Sequence, residues 1–142
     1  MVQAAPFLLL LFLALGAHSL SAKKCSLTGH WVNDLGSNMT ILNVNASGNF
    51  TGIYNTSVSA TSNDIKPSPL LGSQHLPDQP TFGFTVNWSF SDSITVFTGQ
   101  CFMDDEGKET LRTMWLLRSR VENIKNDWKA TRVGYNDFKR LE

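Results

Sequence analysis

The sequence predicts an all-β protein, an eight-stranded antiparallel up-and-down β-barrel, and three observations lead there. Residues 80–91, PTFGFTVNWSFS, alternate without a slip: Phe82, Phe84, Val86, Trp88 and Phe90 take the even positions, and Gly, Thr, Asn or Ser take the odd ones. Strict period-two alternation marks an extended strand with one dry face and one wet face. Runs of this kind recur along the chain, separated by short Gly/Asn/Asp/Ser segments, and no sustained helical period competes with them. Eight short strands with short connections fit a meander, and eight is also the number at which a sheet closes around one small ligand. A β-sandwich is the alternative, but it needs longer crossovers than most of these.

The chain has 142 residues. Residues 7–16, FLLLLFLALG, have the length of a signal-peptide core and are too short to span a membrane; Ser19 and Ser21 follow as small residues at a cleavage spacing. Residues 1–21 are therefore expected to be a signal peptide and 22–142 one secreted domain. Its predicted strands are 28–33, 38–44, 49–58, 64–70, 80–90, 94–103, 109–121 and 128–139, with one helical turn near Glu122–Asp127. DLGSN, NASGN, SATSN, SDS, DDEGK and ENIKND form turns, and a Pro/Gly/Ser loop surrounds SPLLGSQHLPDQP.

Twelve basic and twelve acidic residues cancel without a long block of one sign, which speaks against a nucleic-acid or membrane-surface binder. In a secreted chain the two cysteines, Cys25 and Cys101, read as one disulfide. His18, His30 and His75 are scattered and His18 falls in the leader, so no metal site is expected. Five N-x-S/T sequons, at Asn38, Asn45, Asn49, Asn55 and Asn87, fit passage through a secretory pathway and are candidate glycosylation sites. Asn38, Asn55 and Asn87 should point outward, since Met39, Tyr54 and Trp88 beside them are assigned inward.

The inward faces are richer in polar groups than a purely structural interior. Asn33 shares a face with Trp31; Phe50, Gly52, Tyr54, Thr56 and Val58 share another; Thr95 goes with Phe97, and Leu111 and Thr113 with Trp115 and Leu117. A buried polar group left unpaired costs about 1–3 kcal/mol. Asn33, Tyr54, Thr56, Thr95 and Asn136 together with Trp88, Phe97 and Trp115 describe a small apolar box with convergent hydrogen-bonding groups, the anatomy of a ligand site.

The stretches KCSLTGHWVNDLGSNMTI, NFTGIYNTSVSATSN, QPTFGFTVNWSFS, TVFTGQCFMDDEGKE, LRTMWLLRSRVENI and DWKATRVGYN resemble the avidin family of secreted biotin-binding proteins over essentially the whole mature length. That resemblance implies an eight-stranded barrel, assembled as a homotetramer, with one biotin in the open end of each subunit and no cofactor. It implies that Asn33, Ser37 and Tyr54 donate to the ureido oxygen, that Thr56 and Asn136 take the ureido N–H groups, and that Thr95 lies near the thioether sulfur. Ser59, Ala60 and Thr61 would meet the carboxylate with Ser91 and Ser93. Trp88, Phe90, Phe97, Trp115 and Leu117 would wall the ring system, and Trp128 would close a neighbouring subunit's pocket. Ser59 stands where Thr is commoner, and Tyr135 where an aliphatic residue is usual.

Two other classes fit less well. Gly29-His30-Trp31 matches the Gly-x-Trp that opens lipocalin barrels, but a lipocalin-like carrier needs more residues and a C-terminal helix. A nucleophilic enzyme needs an inward histidine, whereas His30 alternates outward and His75 sits in a loop. Outside the barrel, Met114, Leu116, Val133 and Tyr135 place apolar side chains where a monomer should be polar, which predicts a subunit interface.

Overall fold

The structure, a computed structural model, describes residues 24–142; the expected leader and its cleavage residues lie outside that range. Eight strands follow one another in the chain: β1 (Gly29–Asn33), β2 (Asn38–Ile41), β3 (Asn49–Asn55), β4 (Ser68–Gln74), β5 (Thr81–Asn87), β6 (Ile94–Met103), β7 (Glu109–Arg118) and β8 (Thr131–Arg140). Each pairs antiparallel with the next, and β8 returns to β1 to close the barrel. No sheet edge is left to recruit another chain.

Alternation sets the interior as expected. Trp31, Met39, Ile41, Phe50, Leu70, Phe82, Phe84, Val86, Leu111 and Phe138 are all buried, and their strand neighbours face out. Aromatic contacts knit this core: Phe84 stacks on Phe97 at 4.6 Å between ring centres, and Phe82 lies 6.1 Å from Phe84 in near-parallel planes. Cys25 and Cys101 are bridged, joining the segment before β1 to the end of β6 near Met103, across 76 residues.

Several boundaries differ from expectation. The fourth strand runs from Ser68 to Gln74 instead of 64–70, through a stretch that reads as a loop. Its Pro69 precedes the ladder with β5, which begins at Leu70, and so sits where a missing N–H is tolerated. Its Gly72 is there for space: a Cβ would stand 2.5 Å from Phe84 Cβ and 2.7 Å from Phe50 Cζ. β2 ends at Ile41, β3 at Asn55, β5 at Asn87 and β7 at Arg118, each earlier than predicted. Val58 is therefore an exposed loop residue, not a member of the β3 face. The predicted start of the last strand is instead a 3₁₀ segment, Ile124–Lys129, capped by the Asn123 side chain, which accepts from the Lys125 N–H. This segment overlaps the expected helical turn at Glu122–Asp127 and carries Trp128 with it.

The end of the barrel where β8 finishes is sealed. The Arg140 guanidinium lies over the Trp31 ring at 4.4 Å, pairs with Glu109 at 2.8 Å and donates to the carbonyls of Thr28 and Ser26. The Trp31 indole N–H donates to Leu27 O at 2.8 Å, so the buried ring leaves no donor unpaired.

Candidate ligand site in the open end of the barrel

At the opposite end, where β1, β3, β5 and β7 finish and β2, β6 and β8 begin, the barrel holds a cavity of about 350 Å³. Its lining brings together Asn33, Ser37, Tyr54, Thr56, Ser59, Ala60 and Thr61 on one side. Trp88, Phe90, Ser91, Ser93, Thr95, Trp115, Leu117 and Asn136 complete the other, so all but two of the residues expected to form the site meet there.

The β1–β2 turn supplies the first cluster. Asn33 Oδ1 accepts from the N–H groups of Leu35 and Ser37 at 3.0 and 2.9 Å, a local turn that holds the Asn33 amide in place. Its Nδ2 is left facing the Tyr54 hydroxyl at 3.4 Å. Ser37 Oγ lies 3.5 Å from Thr56 Oγ1 and accepts from Ser57 N at 2.9 Å. Contacts of 3.4 and 3.5 Å are at the limit of hydrogen bonding, so the Asn33 Nδ2 and Tyr54 hydroxyl groups converge with only a weak contact between them, while Thr56 Oγ1 donates to Val58 O at 2.7 Å. Burial pushes the Tyr54 phenol well above its ordinary value of 10.0; the nearby Asp34 charge adds to this, and bonds to Ser37 and Asn33 oppose it. Tyr54 is thus a neutral hydroxyl able to donate.

The second cluster lies on β8 and β7. Asn136 is buried; its Oδ1 accepts from Trp115 Nε1 at 2.8 Å and its Nδ2 donates to Asp34 Oδ1 at 2.9 Å. The two contacts fix which way the amide points. Trp115 can lie flat across β8 because its cross-strand partner is Gly134, where a Cβ would come within 2.1 Å of Trp115 Cζ2. Trp88 Nε1 donates to Thr95 Oγ1 at 2.8 Å, and Ser91 and Ser93 bond to each other through their hydroxyls. The loop after β3 is tied across the mouth by Asn63 Nδ2, which donates to Phe90 O at 2.8 Å.

Two expected residues stand apart. Phe97 is buried one position pair deeper than Thr95 and is covered by Tyr54, whose ring stacks on it at 5.5 Å; it forms the floor beneath the lining. Trp128 is 82 % exposed on the 3₁₀ segment and touches no part of this subunit's cavity. Three lining residues were not anticipated as site residues: Leu35, Val58 and Arg132. Leu35 lies in a turn, where alternation gives no guidance; Val58, read as inward with Tyr54 and Thr56, reaches the lining from the loop after β3. Arg132 shares strand parity with Asn136, and that was the available signal.

Outside the barrel, Asn38, Asn45, Asn49 and Asn87 are exposed and Asn55 is half-buried. Asn55 and Asn38 are cross-strand partners, and Asn55 Nδ2 donates to Asn38 Oδ1 at 3.2 Å. His30 faces outward as expected, with Nδ1 at 2.9 Å from Thr40 Oγ1. Among the described residues no helix follows β8 as a lipocalin would require.

Comparison with known proteins agrees with this geometry. The model of the avidin family matches residues 21–141. Avidin of Gallus gallus is 69 % identical over 137 residues, covering 94 % of this chain and 90 % of that protein. The crystal structure of Xenavidin superposes with a TM-score of 0.82 at 58 % identity, over 84 % of this chain and 100 % of the other. The X-ray structure of the biotin binding protein from chicken gives 0.81 at 55 % identity, over 84 % and 100 %.

Proposed function

The chain belongs to the avidin family, and from that premise we propose that it is a secreted protein that holds biotin non-covalently in the open end of each barrel. It is not an enzyme, because the family is one of binding proteins. The observation that carries the reading is the convergence of Asn33, Ser37 and Tyr54 in a mostly apolar cavity, where Asn33 Nδ2 and the Tyr54 hydroxyl meet only at 3.4 Å. A urea carbonyl oxygen placed there takes three hydrogen bonds from fixed donors, as a developing oxyanion would. Asn136 Oδ1 keeps a lone pair for a ureido N–H after accepting from Trp115, and Thr56 takes the other. Thr95 sits beside the thioether sulfur, and Trp88, Phe90, Trp115 and Leu117 wall the bicyclic ring, with Phe97 supporting them from below. Ser59, Ala60, Thr61, Ser91 and Ser93 meet the carboxylate at the mouth. A preformed barrel loses little entropy on binding, and dry polar groups bond strongly.

Residues 1–21 act as the secretion signal in this reading, and the five sequons are candidate glycan sites. Assembly follows from the outer surface. Val96, Met114, Leu116, Val133 and Tyr135 are all exposed, and the register sets Met114 against Tyr135 and Leu116 against Val133, so they form one apolar patch across β6, β7 and β8. Two copies meeting there, and pairs of dimers meeting again, give a homotetramer. Trp128, a large indole left in solvent on one subunit, then closes a neighbour's mouth.

A thermal melt with and without biotin tests the function. A ligand that binds only the folded state adds about 4 kcal/mol at a thousandfold excess over Kd, a shift of several degrees. No shift would overturn the proposal.

A further inference from the structure

We propose that Arg132 selects for a ligand whose outward end is negatively charged, an inference that rests on the cavity being the biotin site. The chain has five arginines, and four of them are ion-paired: Arg112 with Asp137, Arg118 with Asp127, Arg120 with Glu122 and Arg140 with Glu109. Among the described residues Arg132 is the one arginine with no carboxylate within 4.0 Å; its side-chain contact is a marginal one, Nη1 to Ser119 Oγ at 3.5 Å. It is also the one formally charged residue among those that line the cavity. An uncommitted guanidinium at the rim of an otherwise neutral vessel is a feature that general solvation of the surface does not require.

Its position gives the charge a direction. Arg132, Gly134 and Asn136 share parity on β8, and four residues at ~3.3 Å each set the Arg132 backbone ~13 Å from that of Asn136, toward the mouth. At the inner level the Asp34 carboxylate accepts from Asn136 Nδ2 at 2.9 Å. Negative charge thus stands beside the group that receives N–H donors, and positive charge stands at the exit. A ligand with N–H groups inside and a carboxylate outside is aligned with that polarity, and one with a neutral tail gains nothing from the rim. Because Arg132 is exposed, the effect is modest, acts mainly on encounter, and is screened by salt.

Stopped-flow association with biotin and with its primary carboxamide, which has nearly the same shape and no charge, tests this. The wild-type protein should take up the acid about two- to fivefold faster than the amide at low ionic strength. The ratio should fall to about one at ~1 M salt, where the Debye length is ~3 Å, and in Arg132→Gln at any salt. Arg132→Lys should restore the preference, and Arg120→Gln, which removes an equal charge away from the cavity, should keep it. An unchanged ratio in Arg132→Gln, or an equal loss in Arg120→Gln, would overturn the assignment. Failure of both ligands to bind the wild-type protein would instead overturn the biotin reading itself.

Discussion

At the sealed end of the barrel, Trp31, Leu27, Leu111 and Phe138 are fully buried and Arg140 satisfies two carbonyls and a carboxylate over the indole. At the open end, Asn33 Nδ2 and the Tyr54 hydroxyl meet only at 3.4 Å, while Ser37 and Thr56 are held by the loops, Ser37 Oγ accepting from Ser57 N at 2.9 Å and Thr56 Oγ1 donating to Val58 O at 2.7 Å. The strands are the same and so is the alternation. What separates a floor from a site is whether the inward groups close over one another or are held by turns and loops around a cavity. The floor is packed solid and the open end lines a cavity, so substitutions at the two ends should divide into those that mainly lower stability and those that mainly lower affinity.

The largest effect belongs to the floor. Trp31→Ala should cost about 3–5 kcal/mol of stability by opening a cavity, read by denaturant unfolding, while whatever remains folded still binds biotin. Loss of the Cys25–Cys101 bridge should cost about 2–4 kcal/mol, again with the ligand contacts kept; covalent dimers on a non-reducing gel would contradict the intrachain bond. At the open end, Tyr54→Phe should lower biotin affinity by about 1–3 kcal/mol, the value of one donor lost from a buried acceptor, with little change in the ligand-free melt. A large loss of stability in that variant would erase the contrast between the ends. Trp128→Ala should weaken binding more mildly and leave the melt unchanged, and full affinity in that variant would rule out a shared pocket.

Tyr54 offers a finer test through pH. Its folded value is raised, so the neutral form is favoured on folding and its contribution is fully present below pH 10.0, the ordinary value. Stability should begin to fall as pH rises above that point, and Tyr54→Phe should lack this component of the alkaline loss. Identical alkaline profiles would mean that the phenol is not shielded.

Much of this was legible in the sequence because two residue types spoke together. Alternating aromatics in 82–88 gave the buried face, and inward Asn33, Tyr54, Thr56, Thr95 and Asn136 marked the end that holds a ligand. β4 is expected too early, at 64–70, because Pro69 and Gly72 carry turn chemistry, and the packing of Phe50 against Phe84 explains the glycine. The 3₁₀ segment is expected as one turn near Glu122–Asp127, but its six residues are too few to show a period, so its end at Lys129 reads as strand. Arg132 was passed over because a charged residue near a strand's start reads as solvent-facing, although its parity with Asn136 turned it to the rim.

The meander also dictates an order of assembly. Every ladder but one joins strands adjacent in sequence, so hairpins can form locally and add one to the next. The exception is the seam between β1 and β8, where Trp31 is paired with Arg140 and Asn33 with Phe138 across more than a hundred positions. Closing that seam sets the arginine over the indole and brings Asn136 within reach of Asp34 in one event. The floor and the ligand pocket both need the ten-residue β8, so neither is complete in a chain that lacks it.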